Sequence, residues 1–199
     1  MTEFDWLSST DPPAMLSFLQ TYGMGTGRKM RLFAVACARR AWSHIDDLGR
    51  AAVEVAELFA DGHVHSEQLR AARLACKNSG PQSSWYAAAT DPAIAARNAA
   101  LSAQDGAADP QTERLAQAEV FRDIFGNPFR PAVIDPWRTP EAVGLARVMY
   151  EQGDFTRMPE LADALQQSGC TDGQVLGHCR DGHEHHRGCW VVDLVLGKT

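Results

Sequence analysis

RKMRLFAVACARRAWSH (28–44) is the stretch that decides the fold class. Leu32, Phe33, Val35, Ala36, Ala38 and Trp42 recur at helical rather than strand spacing and make a wide apolar stripe, with Arg31, Arg39 and Arg40 among them. The same grammar runs outward in both directions. Asp11 followed by Pro12 and Pro13 reads as an N-cap with first-turn prolines, and Met15, Leu16, Phe18 and Leu19 give that helix one apolar face. Ala51 to Phe59 carries Val53, Val55 and Leu58, and Gly62 lies just past its end. Ser66 is placed to cap a helix running through Cys76, and Ser79, Gly80, Pro81, Ser83 and Ser84 read as a loop.

Residues 85–108 are alanine-rich, with Trp85, Tyr86, Ile94 and Leu101 as the large apolar side chains. Alanine favours helix and lets neighbours approach closely. A further helix is expected from Pro110 to Phe125, stopped by Gly126, and others from Pro140 to about Tyr150 and from Met158 to Ser168. NPFRP (127–131) and DPWRTP (135–140) are proline-punctuated loops. WVVDLVL (190–196) reads as a short helix. No strand alternation of useful length precedes residue 132. The fold class is therefore mainly α: a single-domain helical bundle over 1–199, with a weak boundary expected near 103–110 and a metal-binding segment at 170–189.

Length and composition fit this reading. The chain has 199 residues, of which 45% are hydrophobic and 22% charged, enough to bury a core without cross-links. Nineteen basic against 25 acidic residues leave a net charge of −6, which gives no global electrostatic case for nucleic acid or an anionic membrane. No apolar run is long enough to span a bilayer, and MTEFDWLSSTDPP lacks the pattern of a secretory signal. Five cysteines without an export signal point to reduced thiols in a cytoplasm, where clustering favours metal over disulfides.

That clustering is the main chemical signal. CTDGQVLGHCRDGHEHHRGC (170–189) holds Cys170, His178, Cys179, His183, His185, His186 and Cys189. Thiolate and imidazole are the ligands zinc prefers, and a structural site needs four at a tetrahedral point. Cys170, Cys179, His185 and Cys189 make a reasonable set, with His178 the main competitor and His183 and His186 further candidates. The expected cofactor is Zn2+, although thiolate-rich sites also accept iron. A catalytic zinc would need an open position and a nearby acid, for which Glu184 and Asp193 are at hand. The metalloprotease H-E-x-x-H and the deaminase H-x-E with P-C-x-x-C are both absent.

Other features read as structural. GMGTGRK (23–29) fits neither the P-loop nor the dinucleotide turn and is taken as an interhelix linker. Arg28, Lys29, Arg31, Arg39, Arg40 and Arg50 are set against only Asp46 and Asp47 in their own segment, and are read as a solvated face paired with acids such as Glu54 and Glu57. His63 and His65 fit a surface turn, and Cys37 and Cys76 fit core packing.

RKMRLFAVACARRAW (28–42), AVEVAELFADG (52–62), FRDIFGNPFRP (121–131), LADALQQSGC (161–170) and HCR…HxRGCWVVDLVLGK (178–198) together resemble an uncharacterised bacterial protein family, the last string being the most specific. The resemblance implies weight on Cys170, His178, Cys179, His185, Arg187, Gly188, Cys189, Trp190 and Asp193, and less on His183, His186, His63 and His65. It implies no particular activity. The expectation is a binding or regulatory module with an unknown protein partner. In that module Arg187 and Asp193 orient the site or its partner surface; a metal-dependent hydrolase using the same cluster, with a water activated by Glu184 or Asp193, is the alternative.

Overall fold

The computed structural model describes residues 1–78 and 80–198, so the loop expectation at Ser79 lies outside the described residues. Twelve α-helices and two short 3-10 turns make up the regular structure of the described residues, with no strand among them. No helix is long and apolar enough to cross a membrane among those residues. The chain divides into two compact units, Met1–Arg122 and Asp123–Thr199.

The first unit holds α1 (Glu3–Ser8), α2 (Pro12–Tyr22), α3 (Gly27–Arg40), α4 (Asp47–Ala60), α5 (Ser66–Ala75), α6 (Gln82–Ala87), α7 (Pro92–Asp105) and most of α8 (Pro110–Phe125). Side-chain caps start several of them. Asp11 accepts from the Ala14 N–H, Thr26 from Lys29, Asp46 from Gly49, and Asp91 from Ala93 and Ile94. Helix α3 is the buried centre and packs most extensively on α7. The alanines of the two helices, Ala34 and Ala38 with Ala95 and Ala99, belong to one core cluster.

Three local expectations change. Ser83 and Ser84 lie in α6 and are buried, with Pro81 at the N-cap position and the Ser84 hydroxyl donating to its carbonyl. The alanine-rich stretch is two helices, broken at 88–91. In α7 the large side chains Ile94 and Leu101 are 49% and 38% exposed, while Ala95, Ala96, Ala99, Ala100 and Ala103 are buried. Close approach to α3 selects the small face for the interior. His65, rather than Ser66, occupies the N-cap position of α5.

The polar stretch 103–110 closes α7 and opens α8, and the division of the chain falls later, within α8. Side-chain bonds fasten α7 to α8 across that turn. The Gln104 amide donates to Gln117, and the Gln117 amide donates to the Ala100 carbonyl and to Glu113.

The second unit contains the end of α8, then α9 (Pro140–Gln152), α10 (Met158–Gln167), α11 (Gly173–Arg180) and α12 (Trp190–Leu196). Its core joins Ala146, Met149, Leu161, Leu165, Val175, Val191, Val192 and Val195 with the thiols of Cys170, Cys179 and Cys189. Helix α12 packs on α9, and α10 on both α9 and α11. Residues 181–189 between α11 and α12 are irregular, turning at Gly182 and Gly188, whose φ values of +74° and +96° suit glycine.

Candidate metal centre

Asp123 sits in the last turn of α8, at the end where carbonyl dipoles disfavour an anion, and its side chain is 4% exposed. Such a carboxylate needs cationic or hydrogen-bonding partners close by. They come from the segment between α11 and α12 and from the end of α11 itself. His185 Nδ1 is 2.8 Å and His178 Nε2 3.3 Å from Asp123 Oδ1. The other oxygen, Oδ2, accepts from the His186 main-chain N–H at 2.8 Å and lies 3.3 Å from His186 Nδ1. Burial raises the carboxyl pKa, but the hydrogen bonds from His178, His185 and His186 outweigh it and hold Asp123 ionised far below the usual carboxylate range.

Cys189, at the N-cap of α12, completes the group. Its sulfur is 3.2 Å from His178 Nε2 and 3.9 Å from His185 Nδ1. Burial, and then the negative charge of Asp123, push this thiol well above its ordinary pKa, against the smaller opposing effect of the Val192 and Val191 amides. A cation at the sulfur would oppose both effects and favour the thiolate.

Asp123, His178, His185 and Cys189 present donor atoms that all lie within 4.8 Å of one another, so the group can hold a metal ion. A tetrahedral zinc places nitrogen and oxygen donors about 3.3 Å apart, and nitrogen and sulfur donors about 3.6 Å apart, given bonds of about 2.0–2.1 and 2.3 Å. Of the nitrogen–oxygen separations, 3.3 Å equals the first figure and 2.8 Å is shorter, at hydrogen-bond length, and the nitrogen–sulfur separations of 3.2 and 3.9 Å bracket the second.

The geometry also distinguishes this group from a thiol–imidazole–carboxylate triad. In a triad the imidazole stands between its partners, with the nucleophile on one ring nitrogen and the acid on the other. Here carboxylate and thiol address the same nitrogen of His178, and the same nitrogen of His185. One nitrogen carries at most one proton, whereas a metal at the common point satisfies all four atoms at once.

Of the residues singled out in the sequence, the structure brings His178, His185 and Cys189 together. Cys170 and Cys179 are buried in the apolar core of the second unit and lie outside this group. Burial pushes the Cys179 thiol up to about 12, and Cys170 is raised for the same first reason. Asp123 is the donor that a search confined to 170–189 misses. Its signal was an acid between Phe121 and Ile124 in the FRDIFG run (121–126), set among the buried positions of a helix.

His183 faces outward, 3.7 Å from Asp181, and Glu184 is exposed beside His186. Arg187 donates from Nε to the Tyr150 carbonyl and from Nη2 to that of Glu151, fastening the ligand loop to the end of α9. Asp193 is buried in α12 and is not one of the four donors. In the first unit the basic stretch pairs internally: Arg28 with Asp61, Arg39 with Glu57, Arg40 with Glu113 and Arg50 with Asp47.

Searched against known families, curated proteins and solved structures, the chain matches none.

Proposed function

We propose that this chain is a zinc-stabilised helical protein acting as a binding or regulatory module in a reducing cytoplasm. Asp123 Oδ1, His178 Nε2, His185 Nδ1 and Cys189 Sγ are the ligands. The observation that carries the reading is the convergence of two imidazole nitrogens on one shared oxygen and one shared sulfur. Charge supports it: a dication with one carboxylate, one thiolate and two neutral imidazoles sums to zero, which suits a buried site. Two nitrogens, a thiolate and a carboxylate in tetrahedral array favour zinc over magnesium or calcium, which take oxygen shells.

Four protein donors fill a tetrahedral shell and leave no position for the water that a hydrolase activates, so the role is structural. The His186 main-chain N–H holds Oδ2 and keeps Asp123 monodentate, with Oδ1 turned to the metal. The free thiols of all five cysteines agree with a reducing compartment. An unknown protein is the proposed partner.

The test is metal content by mass spectrometry on untagged protein, with thermal melts before and after chelation. About one zinc per chain and a large chelator-induced loss of stability are expected. Metal-free protein with an unchanged melt overturns the proposal.

A further inference from the structure

The loop that supplies His185 carries two histidines and two acids that the four-donor shell does not use: Asp181, His183, Glu184 and His186. His183 is paired with Asp181, away from the site. His186 is placed differently. Its Nδ1 lies 3.3 Å from Asp123 Oδ2, the far oxygen of a ligand carboxylate, and its Nε2 lies 3.9 Å from Glu184 Oε1. Side-chain exposure climbs outward along this line, from 4% at Asp123 to 13% at His186 and 76% at Glu184.

A closed site still needs a way in, because a hydrated dication must shed its waters one at a time and meet a donor at each step. We propose that Glu184 and His186 form the loading and release path of the metal site, carrying a divalent transition-metal cation between solvent and Asp123. The proposal rests on the metal reading above. Glu184 attracts the hydrated cation, and the His186 imidazole is a donor of the class such cations prefer. The Oδ2 edge of Asp123 is then the first buried donor the cation meets. The other partly exposed member of the group, His178 at 14%, packs on buried Trp190, with ring centroids 5.2 Å apart, and among the described residues has no further donor of the loop beside it in the way His186 has Glu184.

A path and a prop behave differently. If His186 only orients Asp123, its removal speeds metal release and weakens affinity while uptake is unchanged. If His186 is a step on the route, uptake and release slow together and the dissociation constant holds.

The experiment is stopped-flow uptake of Co2+ by the metal-stripped full chain, followed by its visible absorption, and release into excess chelator. The variants are His186→Ala, Glu184→Gln and, as the control from the same loop, His183→Ala. Expected are uptake and release slowed by the same factor in H186A, with the dissociation constant at the wild-type value. Uptake about threefold slower is expected in E184Q, from lost attraction, with H183A unchanged. Wild-type rates in both H186A and E184Q overturn the path, as does faster release without slower uptake in H186A. A wild-type chain that takes up no Co2+ sinks the metal reading itself, and the path with it, whereas a wild type that loads alongside unaffected variants sinks the path alone.

Discussion

Helices α3 and α7 share a core cluster built largely of alanines, while residues 181–189 are held to their surroundings by polar groups, the donors that meet at Asp123 and the bonds of Arg187 to the end of α9. The two regions distribute stability differently. In the first, each side chain supplies a small fraction of a large apolar total. In the second, removing one donor removes the point itself, because the loop of Asp181, Gly182, His183 and Glu184 has little apolar surface with which to order itself. Chelation should therefore divide the molecule. In hydrogen exchange, the amides of α11, α12 and the loop between them should lose protection, and those of α3 and α7 should keep it. At a thousandfold excess of metal over its dissociation constant the difference amounts to about 4 kcal/mol. Uniform loss of protection in both regions would break the comparison.

The apolar region contains one exception, and it sets the next effect in size. Arg31, on the buried centre helix, donates through Nη1 to the carbonyls of Ala87 and Ala89 and through Nη2 to that of Thr90, with its guanidinium 5.0 Å from the Phe59 ring centroid. Those carbonyls lie where α6 ends and α7 has not begun, so they have no helical partner of their own. Arg31→Met keeps the stem and takes the donor from all three acceptors. The expected cost is about 2 kcal/mol by urea titration, at about 1 kcal/mol for each buried carbonyl left unsatisfied, those of Ala87 and Ala89, while that of exposed Thr90 reaches water. Arg31→Lys should recover only part, since an ammonium lacks the planar fork. A methionine variant as stable as wild type would show that water takes the carbonyls over.

Gly126 tests the second unit without touching a ligand. It ends α8 at φ +65°, and a Cβ built there would lie 2.9 Å from Trp190 Cγ. Trp190 follows Cys189 in sequence and lies against the His178 ring. Gly126→Ala adds left-handed strain and overpacking, together about 2 kcal/mol. Because the displaced side chain adjoins two of the proposed ligands, Co2+ affinity should fall in this variant and remain at the wild-type level in R31M. Equal affinities in the two variants would remove Gly126 from the support of the site.

The legible part of the molecule was the part governed by local rules. Asp11 with Pro12 and Thr139 with Pro140 each mark a helix start, and WVVDLVL forms the short helix α12, whereas the start at Asp91 and Pro92 lay unread inside the alanine-rich stretch. Ile94 and Leu101 misdirect the reading of α7, because hydrophobicity alone predicts that large side chains go inward while close packing on α3 admits only the alanines. The site was legible as chemistry and not as geometry. Seven donors within twenty residues announce a metal, but Cys170 and Cys179 are also small apolar side chains and were taken up by the core. Asp123 lies 55 residues before His178, and no rule of local spacing reaches it, since the pairing depends on tertiary structure.

The smallest expected effect compares a buried thiol in each unit. Cys37 in α3 is fully buried, and that burial, followed by the charge of Glu113, raises its pKa well above the ordinary 9.0. For an acid whose folded pKa is raised, the stabilising contribution is complete below the unfolded value and is lost as pH rises from there toward the folded one. Chelator-treated protein should therefore lose stability above about pH 9, by at most about 1.4 kcal/mol per pH unit per thiol. Cys37→Ala should flatten that slope whatever the constant cost of its cavity. Cys189 behaves in the opposite sense once metal is bound: it enters the site as thiolate, so protons compete with the cation and affinity rises with pH. Melts of wild type and C37A from pH 8 to 10, with chelator, measure the first slope free of the second. Parallel slopes would mean that Cys37 gains access to water before it ionises, and that α3 opens more readily than its alanine packing implies.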